Sequence, residues 1–187
     1  MKNRRPVMPT EVGAEHSFDT RRITFTALLV CVALVVSLIE NMFPPLIPLA
    51  PGAKLGLGNI APLLALIILG VADAYVVAAV KCLLGALISG NLSALMYSAP
   101  SVLISLSVEV VLFLLLFDKM SIAMISLVGA VIFNCVQLFV ACLVTGVNLI
   151  ALLPLLMTAG LLAGAFTGLL TYYIVKKLPY SVYYTRK

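Results

Sequence analysis

The chain has 187 residues, of which 63% are hydrophobic and only 10% charged, and its mean hydropathy is +1.20. A soluble domain is about 45–50% apolar and about 25% charged, so this excess excludes a soluble globular protein and places the chain in a bilayer. The net charge of +5 gathers at the ends of apolar runs, which excludes nucleic-acid binding and reads as topology signals and anionic-lipid contacts.

In chain order, residues 1–22 form a polar leader that mixes Lys2, Arg4, Arg5, Arg21 and Arg22 with Glu11, Glu15, Asp19 and the single histidine, His16. No small-x-small cleavage site follows, so the leader reads as a cytoplasmic tail joined to a retained helix. Six apolar runs come next: Ile23 to Phe43, Ile60 to Val71, Ala72 to about Ser89, Leu95 to Phe117, Ile122 to Thr145, and Leu149 to Val175. The second contains Pro62 and is too short to cross about 30 Å of hydrocarbon alone. It either borrows residues from the preceding loop or lies buried against its neighbours. Six runs bring both termini to one side, together with the Asp118–Lys119 turn and 10 of the 12 basic residues. An excess of lysine and arginine marks the cytoplasmic face. Tyr172, Tyr173, Tyr180, Tyr183 and Tyr184 fit an aromatic belt at that face. The expectation is an all-α integral membrane protein of the cell's inner (plasma) membrane. It has six transmembrane helices over residues 23–175, an outer lid loop over 44–59, and cytoplasmic tails over 1–22 and 176–187.

The loop "ENMFPPLIPLAPGAKLGLGN" joins runs one and two on the outer side. Proline fixes φ and glycine permits positive φ, so such a loop is shaped rather than merely flexible. Its apolar residues predict that it packs down as a lid or as a structural re-entrant loop. Glu40, Asn41, Lys54 and Asn59 supply its polar groups. Lys54 suits either a contact with Glu40 or an anionic ligand framed by glycine amides. The outer turn after run three adds Asn91, Ser93 and Tyr97. Run five carries Asn134 and Gln137 on one helical face with Ala141 and Thr145. That face either lines a cavity or bonds a neighbouring helix. Together these residues predict an outward-opening site for a small molecule.

Within the membrane, Lys81 lies nine residues and Glu109 eight residues from the inner ends of their runs. At about 1.5 Å per residue they share a depth, which predicts a buried pair fixing register, or a proton or ion relay. Gly160, Gly164 and Gly168 form overlapping GxxxG steps, and Ala27 and Cys31 are likewise four apart. Both suit packing within the bundle or docking of another membrane subunit. The cysteines Cys31, Cys82, Cys135 and Cys142 sit in apolar runs and form no metal-binding pattern. No phosphate-binding loop, no carboxylate pair and no catalytic triad is present, so an enzyme is not expected, and neither is a metal.

The stretches "SLIENMFPPLIPLAPGAKLGLGN", "LLGALISGNLSALMYS" and "FNCVQL" resemble the Gx transporter family, often named heptaprenyl diphosphate synthase component I. That family is grouped with the substrate-binding S components of energy-coupling factor vitamin transporters. The resemblance implies an S-component-like six-helix bundle with cytoplasmic termini and an outward site under the first loop. It also implies partners, a shared energy-coupling transmembrane subunit with two ATPases, docked partly on Ala27 and Cys31. Cys31 departs from the alanine usual there, and Phe133 stands where the family's fifth helix carries a histidine. Some members are encoded beside flavin-transferring and quinone-linked proteins.

Three functions compete. The first is binding and translocation of a small molecule, with no resident cofactor. The second is a membrane subunit of an electron-transfer system holding a non-covalent flavin or quinone. The third is an accessory component of polyprenyl diphosphate synthesis. Diphosphate ionisation uses clustered aspartates to hold Mg²⁺, whereas Asp19, Asp73 and Asp118 stand apart, which argues against catalysis by this chain alone.

Overall fold

The computed structural model describes residues 20–42, 56–90, 92–116 and 120–178. They form six α-helices: α1 (Thr20–Asn41), α2 (Ile60–Ile68), α3 (Val71–Ser89), α4 (Leu92–Leu116), α5 (Ile122–Thr145) and α6 (Leu153–Lys177). Short 3-10 turns precede α2 (Leu57–Asn59) and α6 (Ile150–Leu152), and no strand occurs among the described residues. The fold class is therefore the all-α one expected.

Five of the segments are long and apolar enough to cross a membrane: Thr20–Glu40, Val71–Ser89, Leu95–Leu116, Ile122–Thr145 and Ile150–Lys177. Their outward faces carry bare apolar side chains such as Leu115 and Leu162, which in water would be a liability and in lipid is the favoured surface. The sixth helix, α2, differs. It has nine residues, so it measures about 13–14 Å at 1.5 Å per residue and cannot span the hydrocarbon by itself. All nine are buried, because α2 packs against α1, α3, α4 and α6 at once. Six helices are present, but α2 is a short interior helix rather than a full span.

The ends of the bundle fix how the chain runs. Arg22, at the start of α1, bonds Asp73, at the start of α3, through its Nε at 2.7 Å and through its terminal nitrogen. The Thr26 hydroxyl also reaches Asp73, at 3.4 Å. Helices α1 and α3 therefore start at the same end and run parallel. Helix α2 then leads the chain back to the end at which α3 starts. Gly70 then reverses direction into α3 with φ 110°, a conformation that side-chain-bearing residues rarely adopt.

The other half of the bundle is a close-packed pair, α5 on α6. A Cβ added at Gly164 would lie 2.7 Å from the Ala130 Cβ, and one added at Gly168 would lie 2.8 Å from the Ala123 Cα. Only glycine lets the two backbones approach this closely. The Ser126 hydroxyl bonds the Gly164 carbonyl at 3.0 Å and the Thr167 hydroxyl at 2.9 Å across the same seam. Helix α5 begins on Ser121, whose side chain accepts from the Met124 amide, and ends on Gly146, an N-cap and C-cap pairing that stops it cleanly.

Candidate functional site

The site forms where α2 starts in mid-bundle. The turn from Gly56 to Asn59, a left-handed glycine followed by a 3-10 turn, is placed among α1, α3 and α5. The free backbone groups at such a helix start are tolerated at membrane depth only where protein or water satisfies them. A buried carboxylate does so here, and a buried ammonium holds the turn by its side chain. The Glu40 carboxylate, 6% exposed near the end of α1, accepts the Gly56 amide at 2.6 Å. The Lys81 ammonium, 7% exposed on α3, donates to Asn59 Oδ1 at 2.6 Å.

The fit around this turn is tight. A Cβ at Gly58 would run into the Ser37 hydroxyl and lie 3.3 Å from Lys81 Nζ. One at Gly56 would lie 3.0 Å from the Phe133 ring, and Gly56 already has φ +86°. Ser37, Glu40, Gly56, Asn59, Lys81, Ser98 and Phe133 line a small cavity together with apolar groups of α3 and α4. Its volume is about 20 Å³, room for about one water molecule. The arrangement brings an anion, a cation, an amide, two hydroxyls and an aromatic ring around one enclosed point.

Of the residues singled out from the sequence, Glu40, Asn59 and Lys81 meet here. Lys54 and Asn91 lie outside the described residues, as does the 44–55 part of the expected lid, and the side chain of Asn41 is not described. Ser93 is exposed at the start of α4. Tyr97 is buried with Leu138, Ala141, Leu149 and Leu156 in a separate cluster toward the start of α4, the end of α5 and the start of α6. Neither lines the cavity. Asn134 donates to the Ala130 carbonyl at 3.0 Å and packs on Gly160, where a Cβ would collide with its amide. Gln137 is buried in the interior away from the cavity lining. On the polar face of α5, Asn134 thus packs against α6, and α5 contributes Phe133 to the cavity.

Lys81 stands between the cavity and Glu109. The Glu109 carboxylate, 5% exposed, presses on Gly129 of α5, where there is no room for a Cβ. Lys81 is near enough to act on it electrostatically. Ala27 and Cys31 lie on the exposed face of α1, whereas Gly160, Gly164 and Gly168 face α5. Among the described residues no group of three or more metal-ligating side chains occurs.

Sequence reasoning overlooked several of the lining residues, Ser37, Gly56 and Phe133 among them. Ser37 precedes Glu40 by three positions, so helical spacing alone places both on one face of α1. Gly56 could have been found as the glycine at the start of the turn. Phe133 looked like ordinary buried core, and the only signal at its position was the histidine that the resembling family carries there.

The chain matches no curated protein and no solved structure. It does match the family described as heptaprenyl diphosphate synthase component I over residues 29–174. That span runs from the first half of α1 to the last turns of α6 and includes every residue of the cavity. The chain therefore belongs to the heptaprenyl diphosphate synthase component I family.

Proposed function

We propose that this membrane protein binds a small molecule at the Glu40–Asn59–Lys81 cavity and passes it across the bilayer, in the manner of a transporter S component. One observation carries the reading. Two buried ionisable side chains, on α1 and α3, hold the turn that starts an interior half-length helix. Charges in a membrane interior are costly and mark ligand or ion paths, and broken helices supply the sites of many transporters. The cavity of about 20 Å³ is then the closed form. Opening it breaks the Glu40–Gly56 and Lys81–Asn59 bonds, and ligand groups replace them. The expected setting is the inner (plasma) membrane with both tails cytoplasmic and the site reached from outside. The sequence has no phosphate-binding loop, so energy comes from partner subunits or an ion gradient.

The test is native mass spectrometry of protein released gently from its host membrane. A small molecule bound to the wild type and lost from Asn59→Ala and Lys81→Met supports the reading. A ligand retained by both variants places binding elsewhere.

The family description favours a second reading, an accessory component of polyprenyl diphosphate synthesis. It is tested by adding the purified chain to a polyprenyl-elongating enzyme with Mg²⁺. A change in product length or rate supports it, and no change removes it.

A further inference from the structure

Polar contacts tie helix α1 to the bundle at both of its ends. At one end the Glu40 carboxylate accepts the Gly56 amide beside the cavity. At the other, Arg22 donates to one carboxylate oxygen of Asp73 through Nε at 2.7 Å and through its terminal nitrogen, and the Thr26 hydroxyl lies 3.4 Å from the second oxygen. Asp73 sits in the first turn of α3, where free backbone N–H groups favour a carboxylate. Between these ends α1 turns an apolar face outward, with Ile23, Leu28, Val35 and Ile39 exposed. Lipid tails are as apolar as these side chains, so no hydrophobic force holds one helix on another inside a bilayer. Close packing and hydrogen bonds decide instead, which gives weight to the two clamps.

Helix α2 fills the space between the clamps. It starts at the cavity, where Asn59 precedes it, and ends at Ile68, beside the start of α3. All nine of its residues are buried and none is charged. Glycines with positive φ, Gly56 and Gly70, bound the segment on either side. A molecule leaving the cavity toward the Arg22 end therefore meets α2 in its way. One side of α2 lies against α1. Swinging the start of α1 away from α3 uncovers that side, and such a swing must break the bonds to Asp73.

We propose that Arg22, Thr26 and Asp73 form a gate that closes one end of the path through the cavity. With this clamp made, α1 encloses α2, and the cavity opens only at the Glu40 end. With it broken, α1 pivots about its Glu40 end, α2 is bared at the Arg22 end, and the cavity discharges there. Separate clamps at opposite ends of one helix let one end open while the other holds, which is what passage without a continuous pore requires. The gate rests on the reading of the cavity as a transport site.

The test places a cysteine at Leu66 in the full chain freed of its native cysteines and labels it with a membrane-impermeant thiol reagent, with no ligand added. Leu66 is 1% exposed near the Arg22 end of α2, and cysteine is the smaller side chain, so the probe adds no bulk. Its labelling rate follows the fraction of protein that is open. With the clamp intact the probe is expected to react slowly from either side. Asp73→Asn keeps the shape and removes the charge-assisted bonds. It is expected to raise the rate about tenfold from the Arg22 side alone, the lower end for bonds to a charged group because the pair is partly exposed. Arg22→Gln should do the same, and the double variant should be no faster than either, since all three remove one clamp. An unchanged rate in Asp73→Asn overturns the gate. So does a rate raised equally from both sides, which is general loosening, and so does a double variant in which the two effects multiply. The labelling needs no ligand, so it is decided separately from the mass-spectrometric test of the cavity. A bound ligand with unchanged labelling removes the gate and keeps the site. One-sided labelling with no ligand bound keeps the gate and removes the site.

Discussion

Gly58 leaves no space for even one methyl group beside the Ser37 hydroxyl and the Lys81 ammonium. Gly58→Ala is expected to lower stability by about 1–3 kcal/mol, the usual cost of overpacking. Removing the obstacle in the double variant Gly58→Ala, Ser37→Gly should return part of that loss. Thermal unfolding in detergent measures both. A double variant no better than the single one would mean that the methyl group strikes something other than Ser37. The neighbouring charges give a second expectation. Lys81→Ala strands a carboxylate in the interior, at a cost of about 3–5 kcal/mol. Lys81→Ala combined with Glu109→Ala should cost less than the single change, since the stranded Glu109 carboxylate is gone. Equal losses would show that the two residues do not act on one another. The sequence made the depth of Lys81 and Glu109 legible because residue counting along a helix measures height. It could not show that Lys81 also reaches Asn59 at 2.6 Å, because that contact depends on how far the turn before α2 descends.

At the scale of elements, the α5–α6 seam rests on backbone approach rather than on side-chain size. Gly164→Val is expected to cost about 1–3 kcal/mol by forcing the helices apart, since even a Cβ there lies 2.7 Å from the Ala130 Cβ. Ala130→Gly in the same chain should recover part of it, again read by thermal unfolding. No recovery would place the clash on the Leu127 or Ser126 backbone instead. GxxxG spacing announced a close-packing face on α6, but its partner was open between this bundle and another subunit. The contact with Ala130 and Ala123 assigns it to α5. Asn134 shows the reverse case. Its position on a polar stripe suited a cavity equally well, and only the packing of Gly160 against its amide turned it toward α6. Helix α2 is the clearest element-scale lesson. Its nine residues were visibly too short to span, yet nothing local distinguished a buried half-length helix from the inner part of a longer crossing.

For the whole molecule, the Arg22–Asp73 pair makes α1 and α3 parallel, and the remaining connections then set the side of every loop. In a background freed of its native cysteines, new cysteines at Ala72 and Ser121 should react with a membrane-impermeant thiol reagent from one side. Cysteines at Gly90 and Val147 should react from the other. Labelling of Ala72 and Gly90 from the same side would refute the path described for α3.

What the sequence determined by itself was the solvent and the class of structure. Apolar runs of spanning length, bounded by glycine, proline and charge, are local features, and they dictate helices in a bilayer whatever the neighbours do. It also determined which polar residues required partners, because burying an ionisable group in a membrane is costly in any arrangement. The tertiary structure alone decided which partners they found. Linear spacing specifies the height of a side chain and its face on its own helix. The rotation, tilt and closeness of neighbouring helices decide which faces meet. Glu40 met the amide of Gly56, Lys81 met Asn59, and Phe133 met Gly56, because α2 lies inside the bundle and begins its helix halfway down.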